Sequence, residues 1–239
     1  MNRLTRTAIV ALVLAPGQIL AQDPATETVP GPTYPLRTGV LAIGAPAVAL
    51  AFMPVDLRIR DAVRGPSLQN NGPAKTTARL FRELGEPTVP AALGVAFLTG
   101  WAFGHEPTRQ ASLHVLESVV ASAAVVSGIK FMAGRARPFE DRDPWNYGVG
   151  QGFDGHGFRS FPSGHTSQAF VLAASIQGEL REHWGIQSTW LGASLYSAAA
   201  LTGLSRVYHD RHWASDVIMG AAVGTLVGRA ARALNHPAR

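Results

Sequence analysis

The chain contains no cysteine among its 239 residues. This absence excludes disulfide bonds, thiolate metal sites and cysteine nucleophiles. Charged residues are also scarce: they make up 15% of the chain, whereas about 25% is usual in soluble domains. Apolar residues account for 46%. We therefore expect much of the side-chain surface to be buried in protein or in lipid.

Basic residues are spread along the chain rather than massed in one tract, and the net charge is only +5. No stripe of alternating aromatic and basic residues is present, so we expect no nucleic-acid partner. Five arginines lie near the segments described below and predict a local anion site instead. They are Arg135, Arg137, Arg159, Arg206 and Arg211.

Residues 1–21 have the layout of a secretory signal peptide. Arg3 and Arg6 precede a short apolar run, and Ala21 is a small residue suited to cleavage. An uncleaved membrane anchor is the alternative, although the run is shorter than the roughly 20 apolar residues that a span needs. Both interpretations predict export to the cell envelope, with the following residues beginning on the periplasmic side.

One domain follows a proline-rich linker. Residues 22–37 predict the linker, and residues 38–235 the domain, which is within the size of a single core. Six apolar, alanine-rich stretches favour helices over strands and predict an all-α, compact bundle of about six main helices. They are Gly39–Val55, Val89–Phe103, Ala111–Ala133, Thr166–Leu180, Trp190–Leu204 and Trp213–Leu234.

Two connections between these stretches are predicted to be functional. Phe139 to Phe161 is a long loop rich in glycine, aspartate and aromatic residues, and loops of that length are uncommon unless they have a function. Ser205 to His212 is short, polar and basic. Whether the helices cross a bilayer stays open, because Ala111–Ala133 contains charged residues that are costly inside a span. Membrane association is the favoured interpretation.

The first motif pairs two cations. Lys130 and Arg137 are seven residues apart, so on one helix they would share a face, and Pro138 would end that helix. The second motif is Pro162-Ser163-Gly164-His165 before an apolar helix, where free backbone N–H groups and the helix dipole favour an anion. Ser163 can donate its hydroxyl, Gly164 permits close approach, and His165 can deliver a proton.

The third motif is Ser205-Arg206, followed by His212 and Asp216. Because His212 and Asp216 are four residues apart, we expect them on one helix face, with the carboxylate accepting the Nδ1 proton and Nε2 free to act as a nucleophile. The guanidinium of Arg206 suits two phosphate oxygens. Together the three motifs predict a phosphoryl-transfer site that needs no metal or other cofactor.

In this order, the patterns KxxxxxxRP, PSGH and SRxxxxxHxxxD resemble the three motifs of the type 2 phosphatidic acid phosphatase and vanadium haloperoxidase superfamily. The resemblance covers Lys130 to Asp216 and implies a metal-independent phosphatase with an α-helical core and a phosphohistidine intermediate. His212 would be the nucleophile, Asp216 its orienting partner and His165 the general acid. The implied phosphate-binding residues are Lys130, Arg137, Ser163, Gly164 and Arg206.

The His212 to Asp216 segment is similar to that of the lipid-phosphatase branch, so we expect a lipid phosphate such as phosphatidic acid or a polyprenyl diphosphate. A soluble periplasmic acid phosphatase is the main alternative. A vanadium-dependent haloperoxidase and a non-catalytic anion-binding protein are weaker ones. His209 is predicted to be a loop residue rather than a metal ligand. No function is predicted for His105, His114, His156 or His183.

Overall fold

The computed structural model describes residues 44–82 and 88–237. The predicted signal peptide and linker lie outside these residues. Residues 44–52 are helical and lead into a 3-10 turn, Met53–Val55. Eight α-helices follow in the described residues: α1 (Asp56–Arg64), α2 (Pro66–Gln69), α3 (Gly72–Arg82), α4 (Thr88–Ala102), α5 (Glu106–Ala133), α6 (Gly164–Trp184), α7 (Thr189–Tyr208) and α8 (Ala214–Asn235).

The all-α prediction is confirmed, and the described residues form no β-sheet, only an isolated bridge between Arg135 and Tyr147. Five of the six predicted helices correspond to α4 to α8. The sixth, Gly39–Val55, is helical where it is described, ending in the 3-10 turn. The expectation of about six main helices missed α1 to α3. Residues 56–82 are polar and lack a long apolar run. Here α1 gains stability from packing against α7 and α8, and α3 from packing against α7.

The centre of the bundle is formed by α5, α6 and α8, and small residues allow α6 and α8 to approach closely. A Cβ atom at Gly220 of α8 would lie 2.5 Å from the carbonyl oxygen of Ser163. One turn later, a Cβ at Gly224 would lie 2.2 Å from the carbonyl oxygen of Ser167. This contact therefore brings the first turns of α6 and α8 together, and those turns carry two of the three motifs.

Two helices of the described residues, α5 and α8, are long and apolar enough to cross a membrane, and α4 contains a shorter apolar segment. Core helices of soluble proteins share this length and composition. Large apolar side chains are nevertheless exposed at the end of α4 and just after it. Trp101 is 69% exposed and Phe103 is 83% exposed. This surface is suited to contact with lipid.

The long connection between α5 and α6 begins at Gly134, which ends α5 with a positive φ of 56°. A Cβ atom there would lie 1.8 Å from the carbonyl oxygen of Gly148, so only glycine fits. The connection then contains two short 3-10 turns, Gln151–Phe153 and His156–Phe158. The expectation of a long loop over residues 139–161 is confirmed. It folds back against the end of α5, where Lys130 lies.

Candidate active site

Lys130 lies in the last turn of α5 and points towards the start of α6. Its Nζ donates to the carbonyl oxygen of Arg159 at 2.7 Å. Its Cε would be 3.6 Å from a Cβ atom built on Gly164. Burial lowers the pKa of Lys130 to about 7, and the nearby charges of Arg137 and Arg206 add to this effect. The structure therefore gathers residues of all three motifs around Lys130.

Arg137 is not on the same helix as Lys130, contrary to the spacing argument. The helix ends at Ala133, and Arg137 follows in the loop, where its backbone N–H donates to the carbonyl of Gly157 at 2.8 Å. Its guanidinium lies 5.9 Å from the ring centre of Phe139, and its Nε is buried without a hydrogen-bond partner among the described residues. Burial and the nearby charge of Arg211 lower the pKa of Arg137. Its unsatisfied N–H can donate to a bound anion.

The second motif forms the start of α6, as expected. Ser163 is the N-cap residue and is completely buried, and its Oγ accepts from Thr166 Oγ1 at 2.8 Å. Its backbone N–H donates to the carbonyl oxygen of Asp216 at 2.9 Å, which joins the second motif to the third. Gly164 and His165 occupy the first turn of α6, and His165 is half-buried. The N–H groups of a first helical turn have no partner within the helix.

Arg206 lies in the last turn of α7 and is 7% exposed. The predicted connection Ser205 to His212 is therefore partly helical, because α7 continues to Tyr208. The short turn that follows α7 makes two contacts with backbone carbonyls of that helix. The backbone N–H of Arg211 donates to the carbonyl of Arg206 at 3.0 Å, and His209 Nδ1 lies 2.6 Å from the carbonyl of Ser205. His209 thus has a local structural contact within the loop.

Asp210 anchors this turn to α1. Its φ of 60° is in the left-handed region, which aspartate tolerates better than most residues. Its two carboxylate oxygens accept from Arg60 Nε and Nη2 at 2.7 and 2.8 Å. Side chains of this pair are only 13% and 14% exposed. The unpredicted helix α1 therefore supports the segment that leads to His212.

His212 and Asp216 are close, but they do not share a helix face. The helix α8 begins at Ala214, so His212 precedes it while Asp216 lies in its first turn. His212 Nδ1 is 3.6 Å from Asp216 Oδ2, which is too long for a hydrogen bond. Burial lowers the pKa of His212 to about 3, Asp216 opposes this effect, and the charges of Lys130 and Arg137 add to it. The imidazole is therefore neutral at physiological pH.

Asp216 is held by a buried network rather than by His212. Its Oδ1 accepts from Arg135 Nη1 at 2.5 Å, and its Oδ2 accepts from Ser160 Oγ at 2.5 Å and from the backbone N–H of Trp213 at 2.9 Å. Arg135 is fully buried and also donates to Asp56 Oδ2 at 2.9 Å. One charged donor, Arg135, and two neutral donors, the Ser160 hydroxyl and the Trp213 N–H, thus fix the carboxylate behind the imidazole.

The roles of Arg135 and Asp56 were missed by sequence reasoning. The sequence places Arg135 only among several arginines near the motifs, and Asp56 lies 79 residues earlier in the chain. Asp56 also accepts from the backbone N–H of Ser215 at 2.9 Å, at the start of α8. The one signal in the sequence for the role of Arg135 is its position inside the first motif, next to Gly134. No spacing pattern links it to Asp56.

The sequence pattern of the PAP2 superfamily matches residues 111–238, which include all three motifs. The chain belongs to the PAP2 superfamily. This membership confirms the resemblance found in the motifs. The predicted site residues within this segment come from the ends of α5 and α7, the starts of α6 and α8, and the loops beside them. They are Lys130, Arg137, Ser163, Gly164, His165, Arg206, His212 and Asp216.

Two curated PAP2 relatives are named as lipid phosphatases. Lipid A 1-phosphatase of Porphyromonas gingivalis is 36% identical over 138 residues, which cover 56% of this chain and 27% of that protein. Probable diacylglycerol pyrophosphate phosphatase 1 of Schizosaccharomyces pombe is 33% identical over 137 residues, which cover 46% of this chain and 48% of that protein. The chain thus spans between about a quarter and a half of these relatives.

A solved structure has the same PAP2 fold. A transmembrane PAP2 type phosphatidylglycerolphosphate phosphatase from Bacillus subtilis matches with a TM-score of 0.64 and 22% sequence identity. The match covers 84% of this chain and 97% of that chain. The similarity therefore extends beyond the three motifs to most of the helical architecture.

Proposed function

We propose that this PAP2 protein is a phosphatase that hydrolyses lipid phosphate monoesters or pyrophosphates through a phosphohistidine at His212. The observation that carries the proposal is the environment of this imidazole. It is 3% exposed and neutral, and the charges of Lys130 and Arg137 act on it. A neutral imidazole beside fixed cations is suited to attack a phosphorus atom whose oxygens those cations hold.

In the proposed first step, the phosphate binds between Lys130, Arg137 and Arg206, and the N–H groups at the start of α6. His212 Nε2 attacks phosphorus while the bond to the leaving oxygen breaks, and His165 donates a proton to that oxygen. The imidazole becomes positively charged when its second nitrogen bonds to phosphorus. Asp216 stabilises this charge, and the 3.6 Å gap to Nδ1 leaves room for the pair to close.

In the second step, His165 accepts a proton from water as the water oxygen attacks phosphorus. The P–N bond breaks, and its electron pair returns to His212. Inorganic phosphate leaves, and both histidines regain their initial protonation states. The cations and backbone donors stabilise the transferring oxygens in both steps, so the proposed chemistry requires no metal ion.

Lipid substrates are favoured by two observations. The relatives carry the names lipid A 1-phosphatase and probable diacylglycerol pyrophosphate phosphatase 1. In addition, the exposed side chains of Trp101 and Phe103 and the apolar helices α5 and α8 suit contact with a membrane. We propose membrane association, with the site facing the periplasm if residues 1–21 direct export. Phosphatidic acid and polyprenyl diphosphates are the first substrates to test.

The test is a phosphate-release assay on the full chain in detergent, with phosphatidic acid, diacylglycerol pyrophosphate, a polyprenyl diphosphate, lipid A and p-nitrophenyl phosphate. We expect release from at least one lipid. His212→Ala should abolish release, and His105→Asn, a change at an exposed N-cap near the other end of α5, should not. Activity on the soluble ester alone would favour the acid phosphatase alternative, and no release from any ester would refute the proposal.

A second measurement addresses the intermediate. Wild-type protein quenched during turnover of a ³²P-labelled substrate should carry label that acid removes and alkali does not, as expected of phosphohistidine. His212→Ala should carry none. Replacing Lys130 or Arg206 by Met should lower kcat/KM by roughly 10²-fold, the size of effect seen when one donor to a transition-state oxyanion is lost. Turnover without an acid-labile label would contradict the covalent mechanism.

A further inference from the structure

A cluster of three histidines and one glutamate lies far from the phosphatase site. We call it the histidine–glutamate cluster: His114 on α5, Glu179 and His183 on α6, and His236 just after α8. One ligand atom from each residue lies within 4.8 Å of the other three. The three imidazoles also face one another, with ring centres 5.1 to 6.4 Å apart.

Glu179 is at the centre of this cluster. Its Oε2 lies 3.1 Å from both His114 Nδ1 and His183 Nε2, and its Oε1 lies 3.0 Å from His236 Nε2. The carboxylate is only 3% exposed, and burying it is costly unless positive charge or several donors surround it. His183 Nε2 is buried, yet it does not meet hydrogen-bond geometry with any described residue. No hydrogen bond therefore occupies this nitrogen, and its unprotonated form can act as a metal ligand.

The cluster is at the opposite end of the bundle from the phosphate-binding residues. His114 and Lys130 are 16 residues apart on the same helix, a separation of about 24 Å at 1.5 Å per residue. On α6, Gly164 and Glu179 are separated by a similar length of helix. The proposed phosphatase chemistry therefore uses none of these four side chains.

We propose that the histidine–glutamate cluster binds one divalent transition-metal ion, with Zn²⁺ as the best-suited ion. Three imidazole nitrogens and one carboxylate oxygen form a four-ligand set, the number that zinc takes in structural sites. Imidazole favours zinc and neighbouring transition metals, whereas Mg²⁺ and Ca²⁺ prefer oxygen ligands. At bond lengths of about 2.0 Å, tetrahedral ligand atoms are about 3.3 Å apart, so the widest separations must contract by about 1.5 Å.

The site would act as a clamp between helix ends. It joins α5 and α6 to His236, which lies directly after α8. The preceding residue, Asn235, also contacts α5, through a hydrogen bond from its Nδ2 to Glu117 Oε2 at 3.3 Å. Because all four positions would be filled by protein groups, the site is suited to stability rather than to catalysis. A metal ion that binds the folded chain but not the unfolded chain raises the free energy of unfolding.

The direct test is Zn²⁺ binding to the full chain, purified without a histidine tag and stripped of metal with a chelator. Equilibrium dialysis with elemental analysis should give one Zn²⁺ per chain. Glu179→Gln and His183→Ala should each weaken binding by at least about 100-fold, because losing a ligand should cost at least as much as losing a group that hydrogen-bonds to a ligand. His105→Asn and His212→Ala should bind as the wild type does, because both histidines lie outside the cluster.

Two further measurements keep the proposal testable if a cluster variant fails to fold. X-ray absorption of the wild type should show nitrogen and oxygen neighbours at about 2.0–2.1 Å, with the scattering pattern of three imidazoles. Co²⁺ should also quench the fluorescence of Trp184, whose ring centre lies 5.6 Å from that of His183. Trp184→Phe should remove that part of the quenching.

Three results would overturn the proposal: no stoichiometric binding, binding retained by Glu179→Gln but lost in His212→Ala, or absorption data with fewer than three imidazoles. None of them bears on phosphate release, so this proposal and the proposed function can fail separately.

Discussion

The Nδ1 atom of His212 lies 3.6 Å from Oδ2 of Asp216, and both side chains are buried. The carboxylate meanwhile accepts hydrogen bonds from Arg135, Ser160 and the backbone of Trp213. Asp216 is thus positioned before His212 carries any positive charge. The hydrogen bonds that hold Asp216 come from groups other than His212, so the carboxylate is already in place when the imidazole reacts.

The first prediction concerns the pH dependence of stability. The folded-state pKa of His212 is about 3, below the usual value of 6.5, so unfolded chains bind a proton as the pH falls below 6.5 and folded chains do not. This group should therefore cost about 1 kcal/mol of unfolding free energy per pH unit between pH 6 and pH 4. His212→Asn should remove that slope, measured by denaturant unfolding in detergent. His105→Asn should keep it, and equal slopes in all three proteins would contradict the burial argument.

The second prediction concerns the fully buried arginine between two carboxylates. Arg135→Met leaves Asp56 and Asp216 buried without their shared partner and should cost roughly 3–5 kcal/mol of stability. Arg135→Lys should cost less, because the ammonium can still reach one carboxylate, but it should lower kcat more than it changes KM. Arg142→Met is the control, since that guanidinium is 64% exposed. A similar loss for Arg142→Met would refute the role assigned to burial.

The third prediction tests the support that α1 gives to the loop before His212. A double-mutant cycle on Arg60 and Asp210 should give a coupling of roughly 1–2 kcal/mol, because the pair is bidentate and mostly buried. Arg60→Ala should also reduce kcat. The same cycle on Arg109 and Glu106, an exposed pair on α5, should show no measurable coupling and no change in rate. Equal couplings in the two cycles would count against the proposed anchor.

The fourth prediction concerns the contact between α6 and α8. Gly224→Ala should destabilise the protein by about 1–3 kcal/mol, because the new Cβ would clash with the backbone at Ser167. Gly128→Ala on α5 is the matched control: a Cβ there meets nothing within 4 Å, so stability should stay unchanged or rise by up to about 1 kcal/mol. Thermal unfolding of both variants checks this. If Gly224→Ala left the stability unchanged, the result would contradict the close contact between α6 and α8.

Local patterns in the sequence determined the helical class, the long loop and the family. The apolar stretches matched α4 to α8 because helix formation along a continuous apolar run depends on nearby residues. The three motifs were also readable, since each occupies a few consecutive turns. The helices α1 to α3 were missed because polar segments become helical mainly through packing against other elements.

Only the tertiary structure decided which distant groups meet. Helix α5 ends at Ala133 rather than at Pro138, which places Arg137 in the loop, and α8 begins after His212 rather than before it. The contact between Arg135 and Asp56 spans 79 residues, and the histidine–glutamate cluster joins α5 and α6 to the residue that follows α8. Such contacts depend on how helices pack and where they end, and no periodicity within one segment encodes them.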